Sequence, residues 1–333
     1  MPTGGRTVVG VGDDAAVLLA PDERVVATTD LLLEGRHFRR DWSSARDVGH
    51  KAAARGLADI AAMGAVPSAL LVAFAAPAEL DVSWADEFTA GLAAESARGG
   101  AAVVGGDVAA AQTIMIAVTA LGDLKGRSPV TRAGARPGDV VAVAGRLGHS
   151  AAGMALLRLG LADPAALFAA HRRPEPPYDA GPQAALLGAT AMIDVSDGLL
   201  ADLAHVAEAS GVLIDLDTAL LPVTGLLSDA AEIFLTAAAA RATPRPQTRQ
   251  RGAGDAGGAG DAGGAGGQAL GWVLGGGEDH ALAATFPPGT VLPARWAAIG
   301  QVRALGGGAR SGVVVDGKSY PGAAGWEHFR QLD

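Results

Sequence analysis

Short runs rich in Val, Ile and Leu alternate along this chain with longer Ala-rich runs of helical period. That alternation leaves room for little except a mixed α/β fold. Residues 7–11, 24–28, 70–75, 101–104, 113–121, 140–144, 191–195 and 212–216 read as strands. Residues 44–63, 84–98, 150–159, 181–188 and 199–210 read as helices, the first entered through Ser44 with Asp47 three positions on, the pattern of a capping box. Asp163-Pro164 opens a further helix. At roughly 100–200 residues per domain, 333 residues make two domains. The boundary falls in the polar, Gly- and Pro-bearing stretch 133–138, giving domains 1–135 and 136–333.

Aromatic residues are only 4% of the chain, so Ala, Val and Leu must form the cores. The absence of Cys excludes disulfides, thiolate metal sites and a Cys nucleophile. The formal net charge of −9 argues against a general nucleic-acid partner, which would need a basic stripe. Lysine occurs only at positions 51, 125 and 318, so chemistry on phosphates would lean on Arg, backbone N–H groups or a metal ion. No apolar leader follows Met1, and the uncharged stretch 60–78 reads as a helix end and a buried strand, not a membrane span. The expected location is the cytoplasm. Residues 242–268 run into Gly-Ala-Gly-Asp-Ala-Gly-Gly units that bury too little apolar surface to offset their chain entropy. They read as a flexible insertion without chemistry.

Two motifs compete for attention. Gly312-Val313-Val314-Val315-Asp316-Gly317-Lys318-Ser319 has the letters of a P-loop. Its three valines ask for a strand, Asp316-Gly317 for a hairpin turn, and Pro321 forbids the helix that would hold phosphate. The stronger signal is a series of aspartates in tight or Gly-rich settings. Asp13 and Asp14 follow the first strand, Thr28-Thr29-Asp30 is placed at the end of the second, and Asp59 lies in the first helix. Gly105-Gly106-Asp107 is placed just after a strand, Asp194-Val195-Ser196-Asp197 spans a strand end and a helix start, and Glu278-Asp279 follows three glycines. Each could be a turn or a cap. Together they recur at strand ends, where open α/β sheets bind ligands, and carboxylates with hydroxyls suit hard cations such as Mg²⁺. The seven histidines show no zinc spacing.

These strings, with Gly35-Arg36-His37-Phe38, residues 57–67, residues 131–139 and Gly325-Trp326-Glu327-His328-Phe329, resemble the thiamine-monophosphate kinase family. That family stands within the aminoimidazole-ribotide synthetase-like ATP enzymes. The resemblance spans most of the chain outside the Gly-rich tract. It implies a two-domain α/β fold with mixed sheets, a homodimer formed through the first domain's sheet, and transfer of the ATP γ-phosphoryl group to thiamine monophosphate. By the resemblance, Asp14, Thr28, Thr29, Asp30, Asp59, Asp107, Asp194 and Asp197 hold several Mg²⁺ ions. Gly106, Asp107, Arg132 and Ser196 meet ATP, and His37, Glu278 and Trp326 hold the thiamine phosphate. No general base is implied. The rival readings are another ATP enzyme of the same superfamily and a non-catalytic Mg²⁺–nucleotide sensor.

Overall fold

The computed structural model describes residues 6–9, 15–242, 264–306, 310–323 and 325. Asp13, Asp14, Trp326 and most of the Gly-rich tract lie outside them. The first half runs β1 (Thr7–Val9), β2 (Val17–Leu18), β3 (Val26–Leu33), α1 (Ala45–Ala62), β4 (Val66–Ala76), α2 (Val82–Arg98), β5 (Ala102–Ala110) and β6 (Met115–Asp123). The second half runs β7 (Val140–Ala144), α3 (His149–Arg158), α4 (Ala165–Arg172), α5 (Ala180–Leu186), β8 (Ala191–Val195), α6 (Leu199–Ser210) and β9 (Leu213–Leu216). It continues with α7 (Gly225–Ala242), α8 (Gly264–Gly275), β10 (Ala281–Phe286), β11 (Trp296–Arg303) and β12 (Gly312–Val315).

Helix α1 is the keystone. Ser44 accepts from the Asp47 amide while the Asp47 carboxylate accepts from the Ser44 amide, so the expected capping box is present. The helix is buried over most of its length because it packs on β3, β4 and β6 of its own half and on α5, β8 and β10 of the other. Its alanines permit that double approach. Against α2 the contact is closer still: a Cβ on Gly49 would lie 2.0 Å from the Phe88 carbonyl oxygen, and one on Gly91 2.0 Å from that of Arg46.

The first sheet has the order β3-β6-β4-β5, antiparallel except for the parallel pair β4/β5. One face packs on the helices through Leu32, Leu70, Val72, Ile116 and Val118. The opposite face leaves Leu31, Leu71 and Met115 exposed. The second sheet, β12-β9-β11-β7-β10-β8, buries strands β7, β10 and β8 on both faces, while its β11 leaves Gln301 and Arg303 exposed. Strand alternation divides its residues between two cores: Ala142, Met192 and Leu282 turn toward α1, while Val141, Ile193 and Ala283 turn toward the helices of the second half.

Three expectations need correction. Thr28, Thr29 and Asp30 sit in the interior of β3, not at a strand end, because the strand runs on through Leu31-Leu32-Leu33 in full register with β6. Gly106 and Asp107 likewise lie inside β5, which continues to Ala110 in parallel pairing with β4. The tract read as an insertion over 242–268 is helical at both described ends: Ala242 closes α7, and residues 264–268 form the first turns of α8. Burial of Ala269, Trp272, Val273 and Leu274 anchors that helix in the second core, and tertiary packing overrides its glycines.

The P-loop lookalike is a strand and a turn. Gly312–Val315 is β12, parallel to β9, and Asp316 and Gly317 both have positive φ, closing a turn in which Lys318 bridges back to Val315. Replacing Lys318 with Ala is therefore expected to leave the ATP KM within about twofold of wild type, well under the 1.4 kcal/mol that a tenfold change represents, as read from initial rates.

Candidate active site

The two halves meet across a cleft of about 740 Å³. Asp30 on β3, His37 in the following turn, and Arg55 and Asp59 on α1 line it from the first half. Ser150, Met154 and Arg158 on α3, the Ser196-Asp197 turn, and Glu278 and His280 line it from the second.

Why these side chains converge follows from local structure. Strand alternation turns Thr28 and Asp30 to the face packed on α1, where the Thr28 hydroxyl donates to Asp59 at 2.8 Å. Lys51, Arg55 and Asp59 are one helical turn apart and share a stripe of α1. From the other side, the turn after α8 docks on the end of β8: the Glu278 amide donates to the Ser196 carbonyl and the His280 amide to that of Val195. Both residues adopt positive φ to do so. Glu278 thereby enters the cleft between two cations, 2.5 Å from Arg55 Nη1 and 2.9 Å from Lys51 Nζ. Arg55 also reaches Asp30 at 3.3 Å. His280 pairs with Asp194 through Nδ1 at 3.0 Å.

The electrostatics are uneven across the cleft. Burial, then the neighbouring Asp194 and Asp30 charges, push the Asp59 carboxyl up to about 7. Burial would also raise Glu278, but Lys51 and Arg55 outweigh it and hold the carboxyl well below the usual range. Burial and the Arg55 charge push His37 down to about 4, so its ring is neutral at pH 7. Since His37 Nδ1 accepts from the Leu33 amide at 2.9 Å, the ring proton sits on Nε2. Asp202, beneath the Ser196-Asp197 turn, is pushed up to about 7 by burial and then by Asp194. It accepts from the amides of Asp197 and Gly198, both at 3.0 Å, so α6 is held by Asp202 and not capped by Asp197 or Ser196.

The expected site residues divide accordingly. The cleft unites Asp30, Asp59, Asp197, Ser196, His37 and Glu278, with Thr28 and Asp194 directly behind. It does not include Thr29, Gly106, Asp107 or Arg132. Thr29 points to the open face of the sheet, where it meets Thr119. Asp107 is in register with Ala73, and through Ala117 with Leu31, so it shares that open face. Three strand spacings, roughly 14 Å, separate it from β3. Gly106 is required by packing, since a Cβ there would lie 2.1 Å from the Val72 carbonyl oxygen. Arg132 is exposed in the segment joining the halves, its carbonyl accepting from Ser210. Asp279 turns away to accept from the Ser150 amide at the start of α3, a helix-terminus role. Sequence reading missed Lys51, Arg55, Asp202 and His280. The i, i+4, i+8 spacing of Lys51, Arg55 and Asp59 was the available signal.

Two α/β halves with carboxylates facing one another across a shared cleft match a known architecture. The AIR synthase related protein, N-terminal domain, matches residues 12–124, and the AIR synthase related protein, C-terminal domain, matches residues 136–248. The chain is 47% identical to a thiamine-monophosphate kinase of Mycobacterium tuberculosis, over 98% of this chain and 87% of that one. A thiamine monophosphate kinase from Aquifex aeolicus shares the fold at a TM-score of 0.74 and 32% identity, with 90% of each chain covered. A further structure, AaThiL complexed with AMPPCP and TMP, covers 92% of this chain and 87% of that one at a TM-score of 0.74 and 31% identity. The chain belongs to the thiamine-monophosphate kinase family.

Proposed function

We infer that this protein phosphorylates thiamine monophosphate with ATP, giving thiamine diphosphate and ADP, in the cleft between its halves. The observation that carries the reading is the meeting there of Asp30 and Asp59 with Asp197, beside His37 and Glu278. The two walls together offer oxygen ligands, a neutral donor and an ionised carboxylate, as a metal–nucleotide and a cationic phosphorylated acceptor require.

The donor set fits Mg²⁺: Asp30, Asp59, Asp194 and Asp197 are carboxylates, and the rise of Asp59 to about 7 reflects burial first and then the neighbouring Asp194 and Asp30 charges. Among the described residues no three acidic or imidazole groups close around one point. Such an ion would complete its shell with water and phosphate oxygens, the usual habit of Mg²⁺ at nucleotide sites. When bound it would neutralise the phosphates and so lower the cost of bringing two polyanions together. The acceptor is a phosphate whose second pKa is about 6, already ionised at pH 7, so no general base is needed. His37, neutral and with its Nε2 proton available, donates to the acceptor phosphate. Glu278, held ionised, faces the positively charged ring of the acceptor. Trp326 and Asp14, outside the described residues, stay assigned by family resemblance alone, as do Gly106 and Arg132 toward ATP.

Removing the His37 ring is expected to raise the thiamine monophosphate KM about tenfold, the 1.4 kcal/mol of one charge-assisted hydrogen bond, with ATP binding near normal. A His37→Ala variant that chiefly damages ATP binding would contradict this assignment. The overall reading is tested by incubating the purified protein with ATP, Mg²⁺ and thiamine monophosphate and separating the products. Thiamine diphosphate should appear; ATP bound without that product would instead favour a nucleotide sensor.

The homodimer belongs to the same reading. Exposed Leu31, Leu71 and Met115 on the open face of the first sheet support pairing with a second copy there, which would also cover Thr29 and Asp107. On this view residues 1–135 form the nucleotide-binding and dimerising domain. Leu71→Glu should then convert a dimer to a monomer in light scattering; a wild-type monomer at all concentrations would remove the proposal. Among the described residues no helix is long and apolar enough to cross a membrane, which accords with a cytoplasmic location.

A further inference from the structure

We propose that Arg55 is a positioning residue that ties the two ends of the cleft together, fixing the Glu278 carboxylate for the acceptor while restraining Asp30 on the metal side. The proposal rests on the function inferred above. Arg55 comes from α1 in the first half and Glu278 from the second, 2.5 Å apart across the junction. The same guanidinium contacts Asp30 at 3.3 Å, so one planar cation spans two carboxylates from different halves. Only a guanidinium offers that span, because a lysine ammonium is a point charge. Arg55 is nearly buried, and among the described residues its Nε has no hydrogen-bond partner, so the two carboxylates are what set its position. Lys51 supplies a second contact to Glu278 and donates to the His37 carbonyl at 3.3 Å, which fixes the acceptor side but does not reach Asp30. Arg55 is thus the residue through which a change at one carboxylate is felt at the other.

Two opposite effects follow from its removal. Glu278 loses its closest cation and its fixed direction, so the acceptor binds more weakly. Asp30 loses a competing cation, so a divalent ion binds there more readily. A purely structural role would weaken both.

The test uses the full chain carrying Arg55→Gln. Calorimetric titration with thiamine monophosphate, without nucleotide or metal, should show affinity lower by about tenfold. The Mg²⁺ concentration giving half-maximal binding of AMPPCP should fall at least threefold. Unchanged affinity for thiamine monophosphate, or parallel weakening at both ends, would overturn the proposal. If wild-type protein binds no thiamine monophosphate, the acceptor assignment falls, and the Mg²⁺ readout alone decides the role of Arg55. Should Arg55→Gln not fold, Arg55→Met, which keeps an unbranched stem and removes the charge, carries the same two signs.

Discussion

Asp59→Asn lowers turnover at least a hundredfold, about 2.7 kcal/mol of barrier, while the protein remains folded. Asp59 lies on α1 within hydrogen-bond reach of Thr28 and lines the cleft beside Asp30. Asn keeps the size and can still accept from Thr28, so what is lost is a charge that, on the proposed reading, would hold the cation that neutralises the phosphates. The stability effect should run the other way. Burial and the neighbouring Asp194 and Asp30 raise the Asp59 carboxyl to about 7 from its ordinary 3.8, so the folded state holds its proton more tightly than the unfolded chain does. Metal-free wild-type protein should accordingly lose stability as pH rises from about 4 to 7, and the Asn variant should lose less. Thermal unfolding across that range, beside initial rates at saturating Mg²⁺, measures both. A variant that is active, or less stable than wild type at pH 7 without metal, would contradict this role.

The second large effect concerns Glu278. In Glu278→Gln, Lys51 and Arg55 keep their charges; Arg55 retains Asp30, while Lys51 loses the carboxylate that pairs with it. Lys51 is only 2% exposed, so its stranded ammonium dominates the loss. Breaking one side of a buried pair costs about 3–5 kcal/mol; because Glu278 faces the cleft and meets some water, about 2 kcal/mol is the expected fall in unfolding free energy. The pH dependence fixes the sign. Despite burial, Lys51 and Arg55 hold Glu278 well below 4.5, so its contribution is present above that pH and is lost as pH falls through the lower folded value. Wild type should therefore keep its full advantage above about pH 4.5, and the two should converge as pH falls below it. Denaturant melts at pH 3.5 and 7 check this, and equal stability at pH 7 would show that the pairing carries no weight.

The sequence made some of this legible for identifiable reasons. The Ser44–Asp47 capping box and the Ala-rich run behind it announce α1, and Val313, Val314 and Val315 exclude a phosphate loop by their strand preference alone. Strand ends were harder. Gly105-Gly106 looked like a turn, yet glycine is needed there because β4 passes too close for a side chain. That shift matters, since extending β3 and β5 sets the face on which Thr29 and Asp107 lie. Asp279 and Glu278 are neighbours with opposite fates, one holding the start of α3 and the other entering the cleft, and only the backbone path after α8 separates them. The i, i+4, i+8 stripe of Lys51, Arg55 and Asp59 is readable in the sequence, but nothing in an Ala-rich helix says that this stripe meets a second domain.

Asp59 of the first half and Asp197 of the second line the same cleft and are expected to serve one phosphoryl-transfer site. A double-mutant cycle on kcat/KM with Asp59→Asn and Asp197→Asn measures this most directly. One shared site predicts that the double variant is better than the product of the two single losses by at least tenfold, a coupling of about 1.4 kcal/mol. Losses that simply multiply would mean the two carboxylates act independently, and the single cleft would not be where the reaction takes place.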